Sequence, residues 1–485
     1  MNAHRIVKLE RLALSILGIL IIGLLAQPIL ELLARVPKNY NEGWNAFHSA
    51  RAFGLEALYP SSEHLFSNNY PPLSFYGIGG LGLLLGDSII AGRLVALISL
   101  LIVAITIFLF LRWPLDCALT SSLLAPLMFL GYMSTHYRNY VAMNDPQMLG
   151  HAMQLSGVWL LWVTTIRIRD KCPPFFTFLA LGLIFSSLLV KHNLLPIPLI
   201  TAIWLMTSAK RHWLWVFLGI GVGCIGLCYG LYGPNFLSGI LSHSREYQLV
   251  KMPDKLLNWL HPAFLWIIYG IWANWNSHKR HSWLVMLYFL VSLVLAIAIA
   301  GGKGVDYNAV FDVLISLSLL LGIGLDRSRP WLFSRFIQPR LGWILVLSLP
   351  VILALPYVGL VDEWKIFEAE KVSAAKVVDA ISKTNGPVMC EMLALCYWAD
   401  KPFEVDLFNT GQKMKTGAMA QATLIKLIER QYFAVIQLDH SNGSRRLPTD
   451  VNQAIFKYYQ VRPPLPLEAI EHPAFLFYPL ASEDL

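Results

Sequence analysis

Long apolar runs broken by short polar stretches dominate the first three quarters of the chain. Runs over 12–34, 88–111, 115–133, 148–166, 175–190, 194–207, 213–233, 259–275, 283–300, 309–325 and 341–360 each predict a membrane-crossing helix. Alternate breaks are basic. They hold Arg112, then Arg167, Arg169 and Lys171, then Lys210 and Arg211, then Lys279 and Arg280, then Arg327, Arg329, Arg335 and Arg340. Arg5, Lys8 and Arg11 precede the first run, so the positive-inside rule puts all these segments in the cytoplasm. Eleven spans leave the two ends on opposite sides. Residues 175–207 are read as a hairpin of two spans with Lys191, His192 and Asn193 at its tip. A single span there would put the basic clusters at 167–171 and 208–212 on opposite faces.

Two stretches depart from this pattern. "PPLSFYGIGGLGLLLGD", 71–87, opens on Pro-Pro, is rich in glycine and is short for a span, so it is expected to be interfacial or re-entrant. The first outer loop, 35–87, then lies on the same side as "STHYRNYVAMNDPQ", 134–147. After residue 360 the spacing becomes that of an α/β domain, expected to be soluble and extracytoplasmic over 361–485. It has an amphipathic stretch "EWKIFEAEKVSAAKVVDAISK", a short run "PVMCEM", a second amphipathic stretch near 412–430 and a strand-like "YFAVIQLD" at 432–439. The apolar stretch 12–34 is too long for a signal peptide and no cleavage site follows it cleanly, so it reads as a retained anchor of the transmembrane domain 1–360.

Composition confirms the class. At 56% hydrophobic and 14% charged residues the chain is a polytopic α-helical membrane protein and not a soluble globule. The net charge of +8 resides in loop clusters and not on one surface, which excludes nucleic acid as a partner. Cys117, Cys172, Cys224 and Cys228 lie in or beside apolar runs and read as packing residues. Cys390 and Cys396 fall in the outer domain, where an oxidising compartment allows a disulfide; their spacing leaves the geometry open.

Candidate chemistry collects on the outer side. If 40–53 is helical, Asn41, Asn45 and His48 share a narrow arc, with Glu42 about 60° from Asn45. Arg138, Asn144, Asp145, Lys191, Asn193, Lys303, Asp306 and Asn308 lie in other loops of that side. Charged groups at membrane depth are costly unless they line a cavity. Carboxylates and cations together suit transfer from a phosphorylated donor. The leaving phosphate needs cations, for which Arg138, Lys191 and Lys303 are candidates. The acceptor hydroxyl needs a base, for which Glu42 and Asp145 are candidates.

The acidic residue in the first-loop helix, the "YPP" entry to a short apolar segment, the Arg of "AGRLVALIS" and the Asp of "RNYVAMNDPQ" together resemble the C-type (GT-C) glycosyltransferase superfamily, over about residues 10–200. Within it the likeness is to the protein O-mannosyltransferases and the lipid A aminoarabinose transferases. The resemblance implies a polyprenyl- or dolichyl-phosphate sugar donor, an exoplasmic site and inversion at the sugar; the acceptor is expected to be a lipid, glycan or protein, and the membrane a bacterial inner membrane. It places Glu42 and Asp145 as the two loop acids; from their position on the outer side, Asn45, His48, Tyr70, Asn144, Asn193 and Asn308 are the candidates for substrate contact. The first-loop motif is Asn-Glu-Gly, where the protein mannosyltransferases carry an adjacent acidic pair. No cofactor is diagnosed; a divalent metal on Glu42, Asp145 and His48 stays open. The alternative function is a membrane transporter for a small or lipid-linked solute, with the Lys191 tip and "LLPIPL" as its features.

Overall fold

The computed structural model describes residues 3–168, 173–208, 210–242, 244–275, 282–327, 339–463 and 473–481. Arg169, Lys171, Cys172, Lys279, Arg280, Arg329 and Arg335 lie outside the described residues. Each of the eleven apolar runs forms a helix. The first is α1 (Ala3–Leu30). The first outer loop contributes α2 (Tyr40–Arg51) and α3 (Leu73–Leu85). Then come α4 (Ser88–Arg112), α5 (Leu119–Thr135), α6 (Gln147–Trp162), α7 (Pro174–Val190), α8 (Pro196–Thr207) and α9 (His212–Tyr232). Two short helices, α10 (Pro234–Leu241) and α11 (Met252–Leu260), precede α12 (Phe264–Asn274), α13 (Ser282–Ala300), α14 (Phe311–Arg327) and α15 (Pro339–Val358). Among the described residues seven helical stretches are long and apolar enough to cross a membrane, and α7 and α8 are shorter apolar helices, as the hairpin reading requires. The chain is an integral, multi-pass membrane protein.

Burial distinguishes these helices. The apolar window of α14 is 89% buried inside the protein, against 17% for α9. α14 packs on α4, α5, α12, α13 and α15 and is the axis of the bundle, whereas α9 shows most of its surface to lipid. Local chemistry sets the ends. Asp87 caps α4 by accepting from the amides of Ile89 (2.9 Å) and Ile90 (3.2 Å). Just before it, Gly86 ends α3 at φ +76°, a left-handed conformation that favours glycine. At 13 residues α3 is about 20 Å long, short of the roughly 30 Å hydrocarbon core.

The C-terminal part begins with α16 (Leu360–Ser382). It continues through β1 (Val388–Cys390), α17 (Leu393–Trp398), α18 (Leu407–Lys415), α19 (Ala422–Glu429), β2 (Val435–Leu438), α20 (Thr449–Tyr458), β3 (Tyr459–Arg462) and β4 (Phe475–Pro479). The sheet order is β1-β2-β4-β3, with β1 and β2 parallel and β4 antiparallel to both neighbours. Met389 and Ile436 face α19 and α20, while Val388, Cys390 and Val435 face α16 and α17. That second face is continuous with Trp44, Phe47 and Phe75 of α2 and α3, so the sheet and the first outer loop share one apolar core. Cys390 and Cys396 form a disulfide across the β1–α17 turn. Gly43 of α2 is where the two parts meet: a Cβ there would stand 2.2 Å from the amide nitrogen of Ala394.

Candidate active site

Glu42 lies on the first turn of α2, a helix capped by the Asn39 side chain, which accepts from the Asn41 amide at 3.0 Å. It is fully buried against Arg93 of α4, also fully buried. Arg93 donates Nε to Oε1 (2.7 Å) and Nη2 to Oε2 (2.6 Å), and it also donates to the carbonyls of Ala34 (2.7 Å) and Val36 (2.6 Å). The amides of Lys38 (2.9 Å) and Asn144 (3.0 Å) donate to the same carboxylate. Burial pulls the Glu42 carboxyl upward, but Arg93 and these donors overcome it and hold the group below the usual carboxylate range. Four donors already occupy its two oxygens, and it lines neither cavity described below. Asn144 Nδ2 donates to the Glu42 carbonyl (3.0 Å) and Asn45 Nδ2 to the Asn144 carbonyl (2.8 Å), so both amides stitch α2 to the 134–147 loop. His48 packs among Trp44, Phe75 and Phe403, where burial and then Arg51 push it down to about 3 and keep it neutral.

Asp145, Lys191, Asn193, Tyr70 and Asn308 come together elsewhere. Lys191 follows the last turn of α7, with its ammonium 3.4 Å from both oxygens of Asp145 and 4.8 Å from the centre of the Tyr70 ring. Burial works to lower the Lys191 pKa, and the Asp145 carboxylate with Tyr70 outweighs it, holding the ammonium above the usual lysine range. Asp145 also accepts from the Gln147 amide (2.8 Å) and from Asn308 Nδ2 (3.5 Å). Asp145 itself stays behind Lys191; Lys191, Tyr70, Asn193 and Asn308 border a cavity of about 250 Å³ whose walls also include Asn41 and Arg245. Arg245 brings a second cation. Its guanidinium lies 5.7 Å from the Phe408 ring of α18, and its buried Nε has no hydrogen-bond partner among the described residues.

Arg138 belongs to a different space. Its guanidinium donates to Glu363 of α16 and Gln27 of α1, and it lines a second cavity of about 350 Å³ with Glu31, Lys38, Tyr137, Tyr307 and Glu370. Tyr140 borders both cavities, and its hydroxyl donates to Asp306 at 2.9 Å. Lys303 lines neither. The three expected phosphate-binding cations are therefore not brought together: Lys191 faces one cavity, Arg138 the other, and Lys303 stands apart.

Sequence reasoning used Arg93 only as a mark of the resemblance and Asp306 only as a polar residue of the outer side, and it did not single out Tyr140 or Arg245. Arg93 had a signal, since an arginine in the second turn of an apolar span needs a buried anion. Arg245 had none, because the stretch around it has no clear periodicity. Among the described residues no three His, Cys, Asp or Glu side chains form a group that could hold a metal ion; Glu42 turns to Arg93 and His48 to its aromatic neighbours, away from Asp145. Deeper in the bundle, Asp312 of α14 accepts from Tyr288 (2.6 Å) and Gln154 (3.2 Å), 3.6 Å from His151. Asp312 lies in the first turn of α14, His151 in the second turn of α6 and Tyr288 further along α13.

No protein-family model and no curated protein matches the chain. Solved structures do. ArnT from Cupriavidus metallidurans bound to undecaprenyl phosphate superposes with a TM-score of 0.61 at 12% identity, covering 96% of this chain and 98% of that one. The apo state of the same protein gives 0.60 at 11% identity with the same coverage. With both chains matched almost end to end, the protein has the fold of ArnT.

Proposed function

We propose that the chain is a membrane glycosyltransferase that moves a sugar from a polyprenyl-phosphate-linked donor to an acceptor hydroxyl, with inversion. The observation that carries this reading is the Lys191–Arg245 cavity, two cations walled by Asn41, Tyr70, Asn193 and Asn308, in a fold shared with a protein that binds undecaprenyl phosphate. A leaving phosphate requires cations already in place, because charge develops on it as the bond to the sugar breaks. Arg245, with its Nε unsatisfied, supplies donors for that oxyanion. Asp145 holds Lys191 in position, and Glu42 serves as the anchor of α2 and not as the base. The disulfide and the basic breaks support an extracytoplasmic site facing away from the cytoplasm. Mass spectrometry of glycolipids and glycoproteins from cells with and without the chain tests this reading. A sugar modification that vanishes with the chain is expected, and an unchanged profile with altered uptake of a solute would point to transport.

A further inference from the structure

We propose that Asp306 is the catalytic base, and that the acceptor hydroxyl reaches it from the second cavity, past Tyr140. This rests on the glycosyltransferase reading and names the group that the reading lacks. Transfer to a hydroxyl needs a general base facing the reacting atoms, and a carboxylate fixed by hydrogen bonds at the cavity wall can serve. Glu42 is buried against Arg93 and Asp145 is paired with Lys191. The residue beside Glu42 that does line the cavity is Asn41, whose amide cannot accept the proton.

Asp306 is the one carboxylate among the described residues lining the Lys191–Arg245 cavity. It ends the turn between α13 and α14, where Oδ1 accepts from the Tyr307 amide (2.8 Å) and Oδ2 from the Tyr140 hydroxyl (2.9 Å). One donor on each oxygen fixes the carboxylate and leaves each with further acceptor capacity. Unlike Glu42 and Asp145, it forms no ion pair among the described residues.

The two cavities differ in the ligands they suit. Around the second, the cations are already neutralised: Arg138 by Glu363, and Lys38 by Glu31 at 3.3 Å. Burial and then Arg93 also push Lys38 down to about 8. That cavity therefore has little pull on a phosphate. Its carboxylates, Gln27 and tyrosines suit an uncharged, hydroxyl-rich acceptor such as a glycan. Tyr140 is the partition, and Asp306 stands against it on the phosphate side.

The step balances as follows. The acceptor O–H gives its proton to an Asp306 oxygen while the acceptor oxygen bonds to the anomeric carbon. The bond from that carbon to the phosphate oxygen breaks, and its electron pair leaves with the polyprenyl phosphate, whose charge Lys191 and Arg245 offset.

Cells lacking the chain are complemented with wild type, Asp306→Asn, Asp306→Glu or Tyr140→Phe, and the initial rate of glycan product formation is followed by mass spectrometry. Binding of undecaprenyl phosphate to each purified full-length chain is measured in parallel. Asp306→Asn should lower the rate about 10²–10⁴-fold with binding within about twofold of wild type, Asp306→Glu should restore part of the rate, and Tyr140→Phe should cost about tenfold. A rate for Asp306→Asn within about threefold of wild type overturns the assignment. So does an equal loss of rate and binding, which would make Asp306 structural. If wild type itself restores no product, the glycosyltransferase reading fails and the base with it; a normal wild type beside an active Asp306→Asn sinks the base alone.

Discussion

Two buried carboxylate–cation pairs have been put to different uses. Glu42 and Arg93 are wholly buried, meet through two short hydrogen bonds and have their remaining valences filled by backbone groups. Asp145 and Lys191 meet at 3.4 Å, and Lys191 faces a cavity. A sealed, saturated pair has nothing left to offer a ligand; it fixes α2 on α4. A looser pair beside a cavity can exchange partners when an anion arrives, so the pair that looks weaker is the better binding group.

The largest effect should come from breaking the sealed pair. Arg93→Ala leaves the Glu42 carboxylate buried without its cation, and thermal unfolding in detergent should show a loss of about 3–5 kcal/mol. The double variant Glu42→Gln with Arg93→Met should recover part of it, because no unpaired charge remains. Acid provides a second measurement. Since the folded state holds the Glu42 pKa below its usual 4.5, its stabilisation is complete above that value and is lost as pH falls through the folded pKa. The double variant should lack this component of acid sensitivity, and a slope equal to that of wild type would break the comparison.

Next in size is Lys191→Met. Undecaprenyl phosphate should bind at least about tenfold more weakly, the loss of a charge-assisted hydrogen bond, while unfolding shifts less than for Arg93→Ala because the longer Asp145–Lys191 contacts lose less and Asp145 keeps the Gln147 amide and Asn308 as donors. Binding equal to wild type would remove Lys191 from the phosphate site. The smallest effect should be at the exposed pair Lys383–Asp379 at the C-terminal end of α16, where Lys383→Ala should change stability by less than about 0.5 kcal/mol, giving the baseline for a solvated pair.

The helices were legible in the sequence because length and apolarity are local properties. Each of the eleven runs became a helix, the amphipathic stretch after residue 360 became α16, and "PVMCEM" and "YFAVIQLD" supplied two of the four strands. Glu42, Asp145, Lys191 and Arg138 were picked out because ionisable residues beside apolar runs are expensive. Their division into anchor, cavity wall and second cavity was not legible, since each depends on residues far along the chain. Glu42 and Arg93 are 51 positions apart, Tyr140 and Asp306 are 166, and Arg138 and Glu363 are 225.

By itself, then, the sequence determined a multi-pass helical bundle with a C-terminal α/β part and a polar end. Hydrophobic length and period need no distant partner to be read. Only the tertiary structure decided which charges face one another. A carboxylate's chemistry is set by the donors and the water that reach it, and here those donors arrive from other helices: Arg93 from α4 to seal Glu42, Lys191 from the end of α7 to hold Asp145, and Tyr140 from beyond α5 to orient Asp306.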